Sequence, residues 1–361
     1  MVAQGFQDII TPGEYAEAAA LLQQSGLDMP EGIDAGIGLR EDGRLVGTAF
    51  LAGNTICGVC VSNDHRGQGT SASLVGRMLT TALAGGATRV NIFTKSAEAD
   101  KFAALGFRLV AATDDSAMLE FGTPDYTEWI RETQKRLAEA TAENTSAHGS
   151  AQGTTPATGS IVMNANPFTL GHRALVEKAA ACCHRVAVFV VEEDASVFPF
   201  AERLTLVRRG TADLPGVAVL PAGPYMVSRA SFPAYFSGKA AHAAVHARLD
   251  AQIFATRIAP DLGITIRFVG TEPYCAATAT YNETLHAVLP AHGITLREIP
   301  RRTGGDESIS ASKVRELLRD ENYATRIPEL SQLVPPSTLA FLLSGKGQAI
   351  AARLRHRTGR H

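Results

Sequence analysis

Short apolar runs broken by turn-forming residues dominate the first part of the chain. "GIGLR", "LVGTAFLAG" and "TICGVCVS", parted by "EDGR" and "GN", predict consecutive antiparallel strands. The period then changes. Leu74, Val75, Met78 and Leu79 share one face of a predicted helix that opens at Arg66-Gly67-Gln68-Gly69-Thr70-Ser71. Trp129, Ile130 and Leu137, with charges between them, predict a helix closing this part near residue 140. From Thr141 to Ser160 the chain reads "TAENTSAHGSAQGTTPATGS", with no aliphatic residue larger than Ala, which is the composition of a linker.

Beyond it, Ile161–Met163 reads as a short buried strand, Ala174–Ala181 as a helix, and Val186–Val191 as a continuous apolar strand covered on both faces. Further strands are expected at Val217–Leu220, Ile264–Val269 and Thr295–Ile299. The pattern predicts an α/β protein: an α+β domain over residues 1–140, a flexible linker over 141–160, and a doubly wound parallel-sheet domain over 161–345. A basic tail, 346–361, is expected to fray into solvent. No internal repeat is evident.

Composition narrows the function. The 361 residues are 45% apolar, enough for two cores, and only 19% charged, with a net charge of −2. Nothing in that balance favours nucleic acid or an anionic membrane surface as partner. No stretch approaches the roughly 20 apolar residues of a spanning helix, and no signal peptide is recognisable, so a cytoplasmic location is expected. Residues 1–130 hold 8 Lys and Arg against 16 Asp and Glu, which leaves 26 against 20 for the remainder. Anionic ligands are therefore more welcome in the second part. Five cysteines suggest reduced thiols rather than a disulfide framework. Cys57 and Cys60 form a C-x-x-C without a second ligand pair, so they are expected to pack as small hydrophobes, and no metal ligand set is expected.

Three places carry candidate chemistry. The glycine-rich turn with Arg66, Gly67, Gly69 and Ser71 leads into a helix whose unpaired N–H groups suit a pyrophosphate. At the first strand-to-helix turn of the second domain stands Asn166-Pro167-Phe168-Thr169-Leu170-Gly171-His172. Pro167 fixes φ, Gly171 lets phosphate approach backbone, and His172 lies where a helix start favours anions. About 140 residues later, Ser310, Ser312, Lys313 and Arg315 in "SISASKVRELLRD" offer hydroxyls and two cations to outer phosphates. A doubly wound sheet would bring the last two segments to the carboxyl ends of its strands.

These motifs carry resemblances. Over residues 5–122, the Arg66–Ser71 loop, the helix after it and Leu105-Gly106-Phe107 resemble the acyl-CoA-binding fold of the GCN5-related N-acetyltransferase family, although Ser71 stands where that family has Gly or Ala. The T-x-G-H at Thr169–His172 and the I-S-x-S-x-x-R at Ile309–Arg315 resemble the nucleotidyltransferase superfamily typified by H-x-G-H and I-S-S-T-x-x-R. Thr169 replaces the first His there, and Ala311-Ser312 the usual Ser-Thr. Taken together with "VFPFAERLTLV" and "VGTEPYCAATATYNETL", the chain resembles the [citrate (pro-3S)-lyase] ligase family over residues 5–345.

That resemblance implies a reaction. ATP, with Mg²⁺ across its phosphates, would be attacked by acetate to give acetyl-AMP and pyrophosphate. The acetyl group would pass to the thiol of a CoA-like prosthetic group on the acyl carrier subunit of citrate lyase. His172 would face the α-phosphate, while Lys313, Arg315 and Ser310 would hold the β and γ phosphates. Asn164, Asn166, Thr169, Gly171, Ser312, Glu272 and Tyr281 would line the ATP site, with Asn282 beside them, and Arg66, Gly67, Gly69 and Ser71 would bind the CoA-like arm. Arg203 is expected on a solvated helix face. A ligase serving another carrier, such as that of malonate decarboxylase, and a cofactor-making adenylyltransferase share these motifs and remain open.

Overall fold

The computed structural model describes residues 4–148, 155–192, 196–226, 239–271, 276–301, 303–304 and 307–356. The chain forms two units. One holds the residues up to Trp129 together with a segment ending at Ile253, and the other holds the rest.

The first unit runs β1 (Gln4–Asp8), α1 (Pro12–Gln24), β2 (Ala35–Glu41), β3 (Arg44–Ala52), β4 (Thr55–Val61), α2 (Thr70–Ala84), β5 (Arg89–Thr94), α3 (Ala99–Ala103), β6 (Arg108–Ala112) and β7 (Ala117–Gly122). Its seven strands lie in the order β1-β2-β3-β4-β5-β7-β6. The expected antiparallel meander β2-β3-β4 is present, within a sheet made mixed by the parallel pair β4-β5. Both sheet faces are covered: Leu74, Val75 and Met78 of α2 pack on one, Ala18, Leu21 and Leu22 of α1 on the other. Cys57 and Cys60 belong to the α1 side, and burial pushes the Cys57 thiol up to about 12. They pack as hydrophobes.

β4 and β5 are parallel but pair only at Thr55↔Asn91 and Ile56↔Ile92. Beyond that point β4 carries an extra residue relative to β3, accommodated by Gly58 at φ +56°. The strand then leads into the anion-type loop. There Gly67 and Gly69 take φ of +80° and +78°, a region closed to most side chains, and Gly69 caps α2 without a side-chain bond to its first N–H groups. His65 ties the loop to the sheet by bonding Ser62 Oγ at 2.7 Å through Nδ1 and Glu41 through Nε2.

α4 (Tyr126–His148) leads to the second unit, which contains β8 (Thr155–Met163), α5 (Leu170–Ala180), β9 (Cys183–Val190), α6 (Phe200–Gly210) and β10 (Val217–Pro221). α7 (Lys239–Ile253) belongs to the first unit, where it packs on β6 and pairs Arg248 with Asp115 at 2.5 Å. The second unit resumes with α8 (Ala259–Leu262), β11 (Ile264–Gly270), α9 (Ala276–Val288), β12 (Thr295–Ile299), α10 (Ala311–Leu317), α11 (Ile327–Ser331), α12 (Pro336–Leu343) and α13 (Gly345–His356). Five parallel strands lie in the order β10-β9-β8-β11-β12. The winding reverses between β8 and β11, so the loop after β8 emerges at the switch point where such sheets bind ligands.

Three expectations change. Residues 141–148 continue α4 and 155–160 belong to β8, so the stretch set apart by composition is regular at both ends. Its small residues serve a central strand. A Cβ on Gly159 would stand 2.9 Å from Cys183 Sγ and from Phe268, and Ser160 is fully buried. The helix α7 departs from a second domain continuous over 161–345. The basic tail is α13 as far as His356, with Ile350, Ala351 and Leu354 buried among α10, α11 and α12; the residues after it lie outside those described. Leu354→Ala is expected to lower stability by about 2–4 kcal/mol, read as a fall in the denaturant midpoint; a solvated tail would show no change.

Candidate active site

The loop after β8 is held from beneath by a buried cation. Arg203 of α6, fully buried, donates from Nη1 to the carbonyl of Asn164 (2.8 Å), to Asn164 Oδ1 (2.7 Å) and to the carbonyl of Val191 (2.7 Å), and from Nε to the carbonyl of Phe198 (3.0 Å). It is a brace, not a solvated helix residue. Asn164 is drawn into the same brace, since its amide also bonds Ser196 Oγ at 3.0 Å. Ala165 follows at φ +51°, an uncommon backbone state for a residue with a side chain. Asn166 is buried, and its Oδ1 accepts the N–H of Phe198 at 3.0 Å.

α5 then begins with an unusual cap. Thr169 Oγ1 accepts the N–H of His172, and His172 Nδ1 accepts the N–H of Thr169 at 3.1 Å, so an imidazole takes the place usually filled by Glu or Gln in a capping box. The Thr169 hydroxyl also lies 2.9 Å from Nδ1. An Nδ1 that accepts an N–H carries no proton, so the neutral ring bears its hydrogen on Nε2. Burial, and after it the charge of Arg301, holds the His172 pKa down at about 4. At neutral pH the residue is an uncharged Nε2–H donor. Phe168 stacks on the ring at 5.8 Å between centroids. Among the first N–H groups of α5, that of Leu170 goes to the Leu333 carbonyl and that of Arg173 to the Thr169 carbonyl. The N–H of Gly171 has no partner among the described residues, which leaves it beside His172 for an anion.

The second motif docks directly on the first. Arg315 Nη1 donates to the Asn166 carbonyl at 2.6 Å, and Nη2 to Ser312 Oγ at 3.2 Å. A Cβ on Gly171 would stand 3.0 Å from the carbonyl of Ile309, so this glycine is required by the approach of the later segment. Ser310 caps α10 by accepting the N–H of Lys313 at 3.2 Å. Arg315 is buried, and that burial, followed by the charge of Arg319, lowers its pKa.

Thus His172, Thr169, Gly171, Asn166, Ser310, Ser312, Lys313 and Arg315 lie on contacting segments. Tyr281 lies on α9 and is half-buried, and Asn282 beside it donates to the Gly270 carbonyl at 3.1 Å. Glu272 lies outside the described residues. Arg66, Gly67, Gly69 and Ser71 lie together in the first unit, with Arg66 turned onto Val61 and Ser25 at 3.4 Å. Arg301 and Arg319 escaped sequence reasoning. For Arg301 the available signal was a basic residue just past the carboxyl end of a predicted parallel strand.

Residues 158–342 match the family described as citrate lyase ligase C-terminal domain. The [citrate [pro-3S]-lyase] ligase of Klebsiella pneumoniae is 36% identical over 327 residues, covering 89% of this chain and 90% of that protein. The chain belongs to the citrate lyase ligase family. The ligase of the same name from Escherichia coli K12 is 34% identical over 349 residues, 94% of each chain. A shorter likeness, 42% over 57 residues, joins 15% of this family member to 35% of a phosphopantetheine adenylyltransferase of Methylococcus capsulatus.

Two outcomes follow for this site. The His172 pKa is lower in the folded chain than its ordinary 6.5, so folding loses free energy as pH falls from about 6.5 towards 4. His172→Gln should flatten that part of the stability profile by up to about 3 kcal/mol in denaturant titrations across this range. Arg203→Met should cost roughly 2–4 kcal/mol by stranding buried carbonyls, a loss read in the same titrations at pH 7.

Proposed function

We propose that this ligase activates acetate with ATP as acetyl-AMP and acetylates the thiol of a CoA-like prosthetic group on the acyl carrier subunit of citrate lyase. The observation that carries the reading is the docking of Arg315 onto the carbonyl of Asn166 beside the start of α5, which gathers a neutral imidazole donor, a spare N–H and cations at the carboxyl end of the central strand. Hydroxyls, N–H groups and guanidinium suit phosphate oxygens rather than a metal ion, so Mg²⁺ would arrive on the nucleotide and shield its charge there.

Acetate is ionised at neutral pH and needs no general base. One carboxylate oxygen forms a bond to the α-phosphorus as the bond to the bridging oxygen breaks, and pyrophosphate leaves with that electron pair. The chain's task is alignment and charge stabilisation. The Nε2–H of His172 and the N–H of Gly171 donate to α-phosphate oxygens, while Lys313, Arg315, Ser310 and Ser312 take the outer phosphates. A neutral donor suits this role, because it strengthens as charge develops without giving up its proton. In the second step the carrier thiolate attacks the acetyl carbon and AMP leaves. The Gly67–Gly69 loop of the first unit would hold the pyrophosphate of the CoA-like arm.

Acetate-dependent exchange of labelled pyrophosphate into ATP tests the first step. The wild-type chain should show it, and His172→Ala should lower it by roughly 10²–10³-fold. Exchange without acetate, or a dinucleotide product, would favour a cofactor-making adenylyltransferase instead. Dephospho-CoA should bind the full chain, and Gly69→Val, which forces a branched side chain into φ +78°, should weaken it severalfold in calorimetry.

A further inference from the structure

Arg301 has no part in the scheme above, yet it is fixed at the carboxyl end of the same sheet, just past β12. β11 and β12 pair as far as Gly270↔Ile299, and the N–H of Thr271 continues the ladder to the Ile299 carbonyl at 3.0 Å. Arg301 then returns two bonds to the same residue: its N–H to Thr271 Oγ1 at 3.2 Å and its Nε to the Thr271 carbonyl at 2.7 Å. These bonds fix both the backbone and the direction in which the guanidinium fork extends. The register Arg267↔Ser160 between β11 and β8 sets Gly270 level with Met163, the last residue before the Asn164–His172 loop. Arg301 and that loop therefore leave the sheet at one level, with a single strand between them. The positive charge of Arg301 is felt at the His172 ring.

A cation beside an imidazole that holds no extra proton repels protons and attracts anions. With His172 neutral, the pair offers one full charge and one N–H donor, and an anionic oxygen is the ligand that both favour. We propose that Arg301 is a substrate-binding residue of the adenylation site, its guanidinium taking an anionic oxygen of the reacting pair beside His172, either the carboxylate of the acyl substrate or the α-phosphate. This rests on the adenylation reading and supplies it with a residue for the reacting centre itself.

The test uses the full chain with Arg301→Gln and Arg301→Lys, and varies acetate and ATP independently in pyrophosphate exchange. Arg301→Gln should raise one KM by about tenfold to a hundredfold, the range of a charge-assisted hydrogen bond, and Arg301→Lys by less. A rise for acetate assigns the carboxylate and a rise for ATP the phosphate. Guanidinium ion at sub-denaturing concentration should partly restore Arg301→Ala. Both KM values unchanged, with a lower melting temperature matched by Thr271→Val and no rescue, would make Arg301 a brace for the strand ends and overturn the proposal. Should the wild-type chain show no exchange, the adenylation reading fails separately, and calorimetry of ATP and of acetate on wild type and Arg301→Gln still decides: weaker binding of either supports Arg301, and equal binding of both overturns it.

Discussion

The candidate site depends on one contact: the guanidinium of Arg315 against the carbonyl of Asn166, 149 positions away in sequence. A buried carbonyl in the loop just past a parallel strand needs a donor, and the sheet ladder no longer supplies one there. By meeting that need with a charged side chain from α10, the fold brings its later basic segment over the start of α5. Gly171 removes the steric obstacle on one side, letting the Ile309 carbonyl come close. Arg203 stiffens the other side by gathering the carbonyls of Asn164, Val191 and Phe198. The arrangement is set by backbone carbonyls seeking donors, and the side chains that face a ligand are carried along with it.

Much of this was legible from the residues. The strand runs, the first βαβ unit and the two motifs were visible because period and turn chemistry are local properties, and Thr295–Ile299 matches β12 residue for residue. What was hidden was non-local. "ATGS" reads as part of a linker because small polar residues usually mark one, yet in β8 Gly159 has no side chain where Cys183 and Phe268, on the two flanking strands, come close. "ARLRHRTGRH" reads as a tail because its charges are obvious, whereas Ile350 and Leu354, one helical turn apart, find their partners only once α10 to α12 are in place.

The same limit applies within the site. T-x-G-H singles out His172 as a candidate but says nothing of its proton. That follows from the capping box, in which the N–H of Thr169 occupies Nδ1 and leaves the hydrogen on Nε2. Thr169 thus has a part of its own at this turn, since its N–H fixes the tautomer of His172. Arg203 was misjudged because a charge on an amphipathic helix usually faces water. Its burial is intelligible only after the carbonyls of Asn164 and Val191, each just past a strand, and of Phe198, just before α6, are seen to converge on it.

The long separation between the two docked segments bears on biosynthesis. During translation His172 and the α5 cap are synthesised well before α10, which lies more than a hundred residues further along the chain. Until then the Asn166 carbonyl has no guanidinium to receive, and the later basic segment is absent. A ribosome that stalls before residue 310 therefore leaves a polypeptide in which the Asn166 carbonyl never meets the Arg315 guanidinium, and the two candidate segments cannot dock.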